Sequence, residues 1–200
     1  MIRVGLKSKR FGDVPVLGQI GFAIAKGETV ALVGPSGVGK TTLLRIVAGI
    51  DPEFDGVVER PDNLAMAFQE PNLLPWRDAV ANLRLVHPGL DRAEALGALN
   101  RVGLAGKEAM FPGQLSLGQQ RRLALARAFA GRPEFLVMDE PFASLDAATS
   151  DAMLRLAERL VAMYRPAVLF VTHSQSEADR LAGRVLRMRA GRGGATIAEN

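Results

Sequence analysis

Thr29-Val30-Ala31-Leu32-Val33-Gly34-Pro35-Ser36-Gly37-Val38-Gly39-Lys40-Thr41-Thr42-Leu43-Leu44 decides the fold. The first five residues are apolar and β-prone and read as a buried strand. Leu43 to Ala48 reads as a helix. Between them Gly34 to Thr42 fits G-x-x-x-x-G-K-[ST], a phosphate-binding loop in the strand-to-helix setting it requires. Its glycines let the backbone approach a ligand closely. Successive N–H groups then converge on an anion, and the helix behind adds unpaired N–H groups and the positive end of its dipole. The expected contacts run through Gly34, Pro35, Ser36, Gly37, Val38, Gly39, Lys40, Thr41 and Thr42. Lys40 reaches the β- and γ-phosphates, and the Thr41 hydroxyl binds Mg²⁺.

Downstream, four apolar residues from Phe135 to Met138 end in Asp139-Glu140. In a parallel α/β sheet such acids emerge at the carboxyl edge, where ligands bind. Asp139 suits a Mg²⁺ ligand and Glu140 a general base for an attacking water. Ala167 to Thr172 reads as another buried strand, ending at His173, which can bond a γ-phosphate or hold that water. Leu64 to Phe68 reads as a strand ending in Gln69, either a Mg²⁺ or water ligand or a buried structural amide.

The remaining segments connect these. Ile2-Arg3-Val4 and Gly21 to Ala25 are short β-like runs with turns at Gly12-Asp13 and Lys26-Gly27-Glu28. Phe11 stands on the first hairpin, either in the core or free to stack on a nucleobase. Glu70 to Trp76 contains two prolines and the only tryptophan. Exposed, it is an interaction site; buried, Trp76 is an anchor. Arg77 to Gly131 is mostly helical, interrupted at Gly103 and Gly106. Asp91 with Glu94 forms a capping-box start. Ser116 is an N-cap that opens a second helix able to receive phosphate. Asp146 caps a helix with a core stripe of Met153, Leu156, Leu160 and Met163. Ser174 and Glu177 suggest a further capping box, His87 a surface loop, and Arg189 to Asn200 a hairpin.

Composition sets limits. The 200 residues suit one domain with a sizeable core. There are no cysteines, which excludes disulfides and thiolate sites. No stretch of about 18 apolar residues is present to span a membrane, and the N-terminus lacks a signal-peptide core. The net charge is +4, with arginines at 121, 122 and 127 and again at 184, 187, 189 and 192. No nucleic-acid motif accompanies them, so nucleic acid is not an expected partner.

Taken in order, these motifs resemble the ATP-binding subunits of ABC transporters, from about Phe11 to Arg189. The phosphate loop is similar to Walker A, Phe135 to Glu140 to Walker B, and Gln69 to the Q-loop glutamine. Leu115-Ser116-Leu117-Gly118-Gln119 resembles the signature motif, Ser144-Leu145-Asp146 the D-loop, and His173 the switch histidine. The resemblance implies that Phe11 stacks on adenine. It implies an α/β P-loop NTPase: one domain over 1–200, with a RecA-like core and antiparallel β subdomain from 1–70 and 132–200. A helical subdomain is inserted at 71–131. It also implies ATP and Mg²⁺ as cofactors and a head-to-tail pair of subunits, each site completed by Ser116, Gly118, Gln119 and Asp146 at the interface.

Gln69-Glu70-Pro71-Asn72-Leu73-Leu74-Pro75-Trp76 is similar to the nitrate, sulfonate and taurine importer branch, where it meets the permease. Implied partners are therefore transmembrane permease subunits and a periplasmic solute-binding protein, with this chain at the cytoplasmic membrane face. Export, or a soluble ATPase acting on DNA or ribosomes, is the competing reading. The latter relatives carry long inserted coiled coils or two ATPase domains, which this sequence lacks. Two positions depart from the family pattern: Leu117 stands where glycine is usual, and Phe11 where tyrosine is common. A C-terminal regulatory domain is not expected.

Overall fold

The computed structural model describes residues 1–199. Its central sheet runs in the order β10-β9-β4-β8-β7-β6. These strands are β4 (Thr29–Val33), β6 (Leu64–Ala67), β7 (Phe135–Asp139), β8 (Ala167–Val171), β9 (Arg184–Arg189) and β10 (Thr196–Glu199). All neighbours pair parallel except β9 with β10. Every residue of β8 is buried, as a strand covered on both faces requires. Two apolar cores lie on the two faces, and residues alternate between them. Val168 and Phe170 enter one, and Ala167, Leu169 and Val171 enter the other.

A smaller antiparallel sheet is built on the long strand β1 (Ile2–Phe11), which pairs with β2 (Val14–Leu17), β3 (Ile20–Ile24) and β5 (Asp55–Glu59). The β-like run at Ile2 is therefore only the start of a ten-residue strand. Its alternation of buried Ile2, Val4 and Leu6 with exposed Arg3, Gly5 and Lys7 breaks at half-buried Ser8 and buried Lys9, where the pairing register shifts. β2 and β5 were not legible as strands, because each is short and interrupted by proline, glycine or acids.

Six α-helices complete the described residues: α1 (Lys40–Ala48), α2 (Ala79–Val86), α3 (Arg92–Arg101), α4 (Leu117–Ala130), α5 (Ala147–Tyr164) and α6 (Gln175–Leu181). Helices α2, α3 and α4 pack on one another. The expected capping box of Asp91 with Glu94 opens α3, and at α4 the expected Ser116 N-cap is completed into a box by Gln119. At α6 the box forms by half: Ser174 caps Glu177 N–H, while the Glu177 carboxylate accepts from the Thr172 hydroxyl instead. The α5 stripe buries Met153, Leu156 and Leu160, but Met163 is 61% exposed. It lies in the last turn, where Tyr164 rather than Met163 packs against α4, its ring 5.6 Å from that of Phe129. His87 is half-buried rather than on the surface, with Nε2 2.8 Å from the Arg127 carbonyl of α4. β9 and β10 form the expected terminal hairpin through Glu199, with Asn200 outside the described residues.

The arginine groupings are not one solvated face. Arg121 is buried and donates to the Ala143 carbonyl. Arg127 holds the Pro71 and Asn72 carbonyls, and Arg184 pairs with Glu28 at 2.8 Å.

Candidate active site

The sheet order explains the site. Strands β4, β8, β7 and β6 are adjacent and parallel, so their carboxyl ends deliver the phosphate loop, His173, Asp139-Glu140 and Gln69 along one edge. Lateral bonds fix the junctions: Thr172 N–H donates to the Leu32 carbonyl at 3.4 Å, and Glu140 N–H to the Val171 carbonyl at 3.2 Å.

The phosphate loop turns through left-handed glycines, Gly37 at φ 74° and Gly39 at φ 105°. A Cβ on Gly39 would lie 2.8 Å from Leu17 Cδ2, so glycine is required there both for φ and for space. Gly39 is the N-cap of α1 and has no side-chain cap, which leaves the first-turn N–H groups available for an anion. Lys40 is buried and donates to the Gly34 carbonyl at 3.0 Å and the Pro35 carbonyl at 2.9 Å. Burial holds its ammonium below the usual lysine range, opposed by the negative charges of Glu140 and Asp139. An anionic phosphate here would favour the charged ammonium.

A cleft of about 260 Å³ lies over the loop, lined by Ser36, Gly37, Gly39, Lys40, Thr41 and Thr42 together with Val16, Glu140 and His173. Thr41 Oγ1 donates to Asp139 Oδ1 at 3.3 Å. Burial raises the Asp139 carboxyl above its ordinary range, against the Thr41 hydrogen bond. Among the described residues no group of three His, Cys, Asp or Glu could hold a metal. A hydroxyl and one carboxylate instead fit Mg²⁺ shared with nucleotide phosphates, because Mg²⁺ takes few protein ligands and keeps phosphate and water oxygens.

Glu140 has φ 47°, a left-handed backbone uncommon outside glycine and frequent at active sites. That turn brings Glu140 Oε1 to 2.5 Å from His173 Nε2. Two acceptors would repel at that distance, so Nε2 carries the proton and donates to the carboxylate.

The other expected residues fall outside this cleft. Gln69 lies two residues beyond β6 and is exposed, which excludes a buried structural amide. Phe11 ends β1 and is 55% exposed, so core packing does not explain it. Trp76 is 69% exposed, so it is no core anchor. Ser116 Oγ accepts from Gln119 N–H at 3.3 Å while Gln119 Oε1 accepts from Ser116 N–H at 3.0 Å. Gly118 is half-buried and Leu117 is 49% exposed. Asp146 caps α5 by accepting from Thr149 N–H at 3.0 Å. None of these lines the cleft within a single chain. Sequence reading missed Arg127 and Asn82. Asn82 is fully buried and bonds the Leu74 N–H and the Leu74, Arg77 and Asp78 carbonyls. A lone amide within a helix carries no signal for such a role.

The fold and motifs agree with known proteins. The ABC transporter family model matches residues 17–143. "Aliphatic sulfonates import ATP-binding protein SsuB 2" of Frankia alni is 50% identical over 185 residues, covering 92% of this chain and 75% of the relative. SsuB 3 of Rhodococcus jostii is 49% identical over 180 residues, covering 89% and 67%. Among solved structures, a dimeric post-hydrolysis state of the ATP-binding cassette MJ0796 with ADP and Pi superposes with a TM-score of 0.82 at 27% identity. That match covers 100% of this chain and 97% of the other. A second MJ0796 dimer gives 0.79 at 29% identity, covering 94% of each. With its phosphate loop, acidic strand end and histidine converging on one sheet edge, the chain belongs to the ABC transporter family and is one of its ATP-binding cassettes.

Proposed function

We propose that this cassette ATPase powers import of an aliphatic sulfonate or a related small anion, working as one half of an ATP-closed pair. The sulfonate-import names of its relatives support the substrate class. The observation that carries the catalytic reading is the Glu140–His173 contact facing the phosphate loop.

In this reading Gly34 to Thr42 cradle the phosphates, and Lys40 neutralises the β,γ end. Thr41, Asp139 and Gln69 would hold Mg²⁺, which would supply positive charge beside the transferring phosphoryl group. Glu140 takes a proton from the attacking water. His173 orients that carboxylate and the γ-phosphate. Phe11 stacks on adenine. Ser116, Gly118, Gln119 and Asp146 of a second copy close over the same nucleotide. A helical subdomain from 71–131 moves against a core built from 1–70 and 132–200. Contacts to the γ-phosphate favour the closed pair, and their loss on hydrolysis releases it.

The Gln69–Trp76 segment, with Gln69, Glu70, Asn72, Pro75 and Trp76 exposed, is the docking surface for a permease, with a periplasmic solute-binding protein completing the system. No helix of the described residues is long and apolar enough to cross a membrane; in this reading the permease holds the chain peripherally at the cytoplasmic face. The test is size-exclusion chromatography of Glu140→Gln with MgATP. A dimer that returns to monomer without nucleotide is expected, and monomer throughout would refute the closed pair.

A further inference from the structure

Lys9 is the most completely buried large side chain outside the apolar core, at 1% exposure. It lies two residues before Phe11, next to the register shift where β1 bulges against β2. Its ammonium donates to Asp51 Oδ1 at 2.8 Å and to the Glu53 carbonyl at 2.6 Å, and sits 4.6 Å from the centre of the Phe11 ring. A lysine ammonium has three donors: a carboxylate and a carbonyl take two, and the ring face receives what remains of its charge. One face of Phe11 is thus covered by a cation, while the ring as a whole remains half exposed.

The clamp reaches the phosphate site through α1. Asp51 N–H and Ile50 N–H both donate to the Arg45 carbonyl, at 3.2 and 2.8 Å, at the end of that helix. Asp51 Oδ1 also accepts from Glu53 N–H at 3.1 Å. The hydrogen bond from Lys9 leads the interactions that hold the Asp51 carboxyl below its ordinary range. Lys40 and Thr41 begin the same helix. A ring at the tip of a β-hairpin would otherwise be free to reorient. Here it is fixed to the far end of the rod whose near end holds the phosphates, about 13 Å away for nine residues.

We propose that Lys9 is a positioning residue for the nucleobase: clamped by Asp51 and Glu53, it holds the Phe11 ring from beneath as a preformed stacking platform at a fixed distance from the phosphate loop. This rests on the reading that Phe11 stacks on adenine. Fixing the ring in advance removes the ordering cost of binding the base, and a cation over one face adds to the ring's orientation. The platform acts on the base alone, so a ligand without a base does not sense it.

The test compares MgADP with magnesium pyrophosphate by calorimetric titration of the whole chain. Lys9→Met is expected to weaken MgADP roughly threefold to tenfold, the scale of a cation–ring contact, with pyrophosphate affinity unchanged. Lys9→Arg, which keeps the cation, is expected to restore most of the loss. Phe11→Ala tests the underlying reading: if MgADP affinity is unaffected by it, stacking itself is wrong and the proposal falls with it. If Phe11→Ala weakens MgADP and Lys9→Met does not, the stacking stands and the role of Lys9 is refuted. Equal losses for both ligands would make Lys9 a general structural clamp and also overturn the proposal. Should Lys9→Met not fold, Asp51→Asn keeps the lysine but loosens its clamp. A loss confined to MgADP then supports the proposal, and an equal loss or none overturns it.

Discussion

His173 Nε2 lies 2.5 Å from Glu140 Oε1, so the side chains ending two neighbouring strands meet as one unit above the phosphate loop. Their separate removal should therefore cost less than additively. Glu140→Gln is expected to lower ATP turnover by about 10²–10⁴, the worth of a positioned general base, while keeping nucleotide affinity. His173→Ala should also lower turnover, and the double variant should fall little below the worse single one. Phosphate-release rates beside nucleotide titrations check this. Multiplicative losses would show that the two groups act independently.

Asp139 predicts an opposition between stability and function. Burial raises its carboxyl, so the folded chain keeps a proton that the unfolded chain has already lost. In that window the native state binds more protons, and stability falls as pH rises through it. Near neutral pH the ionised carboxylate is a cost that Mg²⁺ would relieve. Asp139→Asn should then raise the melting temperature of the nucleotide-free chain by about 2–4 °C, the shift given by about 1 kcal/mol at this length. It should also flatten that temperature's dependence on mildly acidic pH and abolish the Mg²⁺-dependent part of the ATP thermal shift. A lower melting temperature at neutral pH would show that the carboxylate is satisfied within the protein.

The parts of this architecture legible in the sequence share a short range. Gly34 to Thr42 and Phe135 to Glu140 announce themselves because loop glycines, a helix N-terminus and an apolar strand are all specified by adjacent residues. The capping box at Asp91 and the N-cap at Ser116 are equally local. What escaped depends on partners distant in the chain. Lys9 reads as a surface lysine until Asp51 is seen beside it, and Asn82 reads as an ordinary helix residue until the Leu74 loop folds back on it. The Glu177 carboxylate prefers a Thr172 hydroxyl to the expected cap, a choice between two neighbours that spacing does not decide. Ser116 and Leu117 are legible as a motif, but nothing within one chain brings them to the phosphate cleft.

Trp76 is 69% exposed, on a segment held from behind by Asn82 and Arg127. Trp76→Ala should leave thermal stability within about 0.5 kcal/mol of wild type, as exposed substitutions do, and leave nucleotide affinity unchanged. If the segment docks on a permease as proposed, the substitution should instead weaken co-purification with it. Asn82→Ala, which strips several buried hydrogen bonds from the same segment, should lower stability by about 1–3 kcal/mol and disturb the association indirectly. Denaturant melts paired with pull-downs separate the two effects, and undiminished permease capture by Trp76→Ala would remove this segment from the docking surface.

Leu117 stands free on the single chain. It opens α4 between Ser116 and Gly118 and is 49% exposed, so replacing it should hardly alter the monomer. Its place beside two residues expected to meet a second copy's nucleotide makes it a probe of the pair. A leucine projecting there either adds apolar burial or holds the two surfaces apart, and the half-buried Gly118 favours the second, because its smallness already permits close approach. Within one chain an added Cβ at Gly118 would make only ordinary contact, 3.5 Å from Thr149 Cγ2, so a close approach there is a demand of the pair and not of the monomer. Leu117→Gly, introduced with Glu140→Gln, should therefore tighten ATP-dependent dimerisation while shifting the monomer's stability by less than about 1 kcal/mol, the cost of glycine inside a helix. Sedimentation across a range of chain concentrations with MgATP measures it. Weaker dimerisation would show instead that Leu117 contributes apolar contact at the interface.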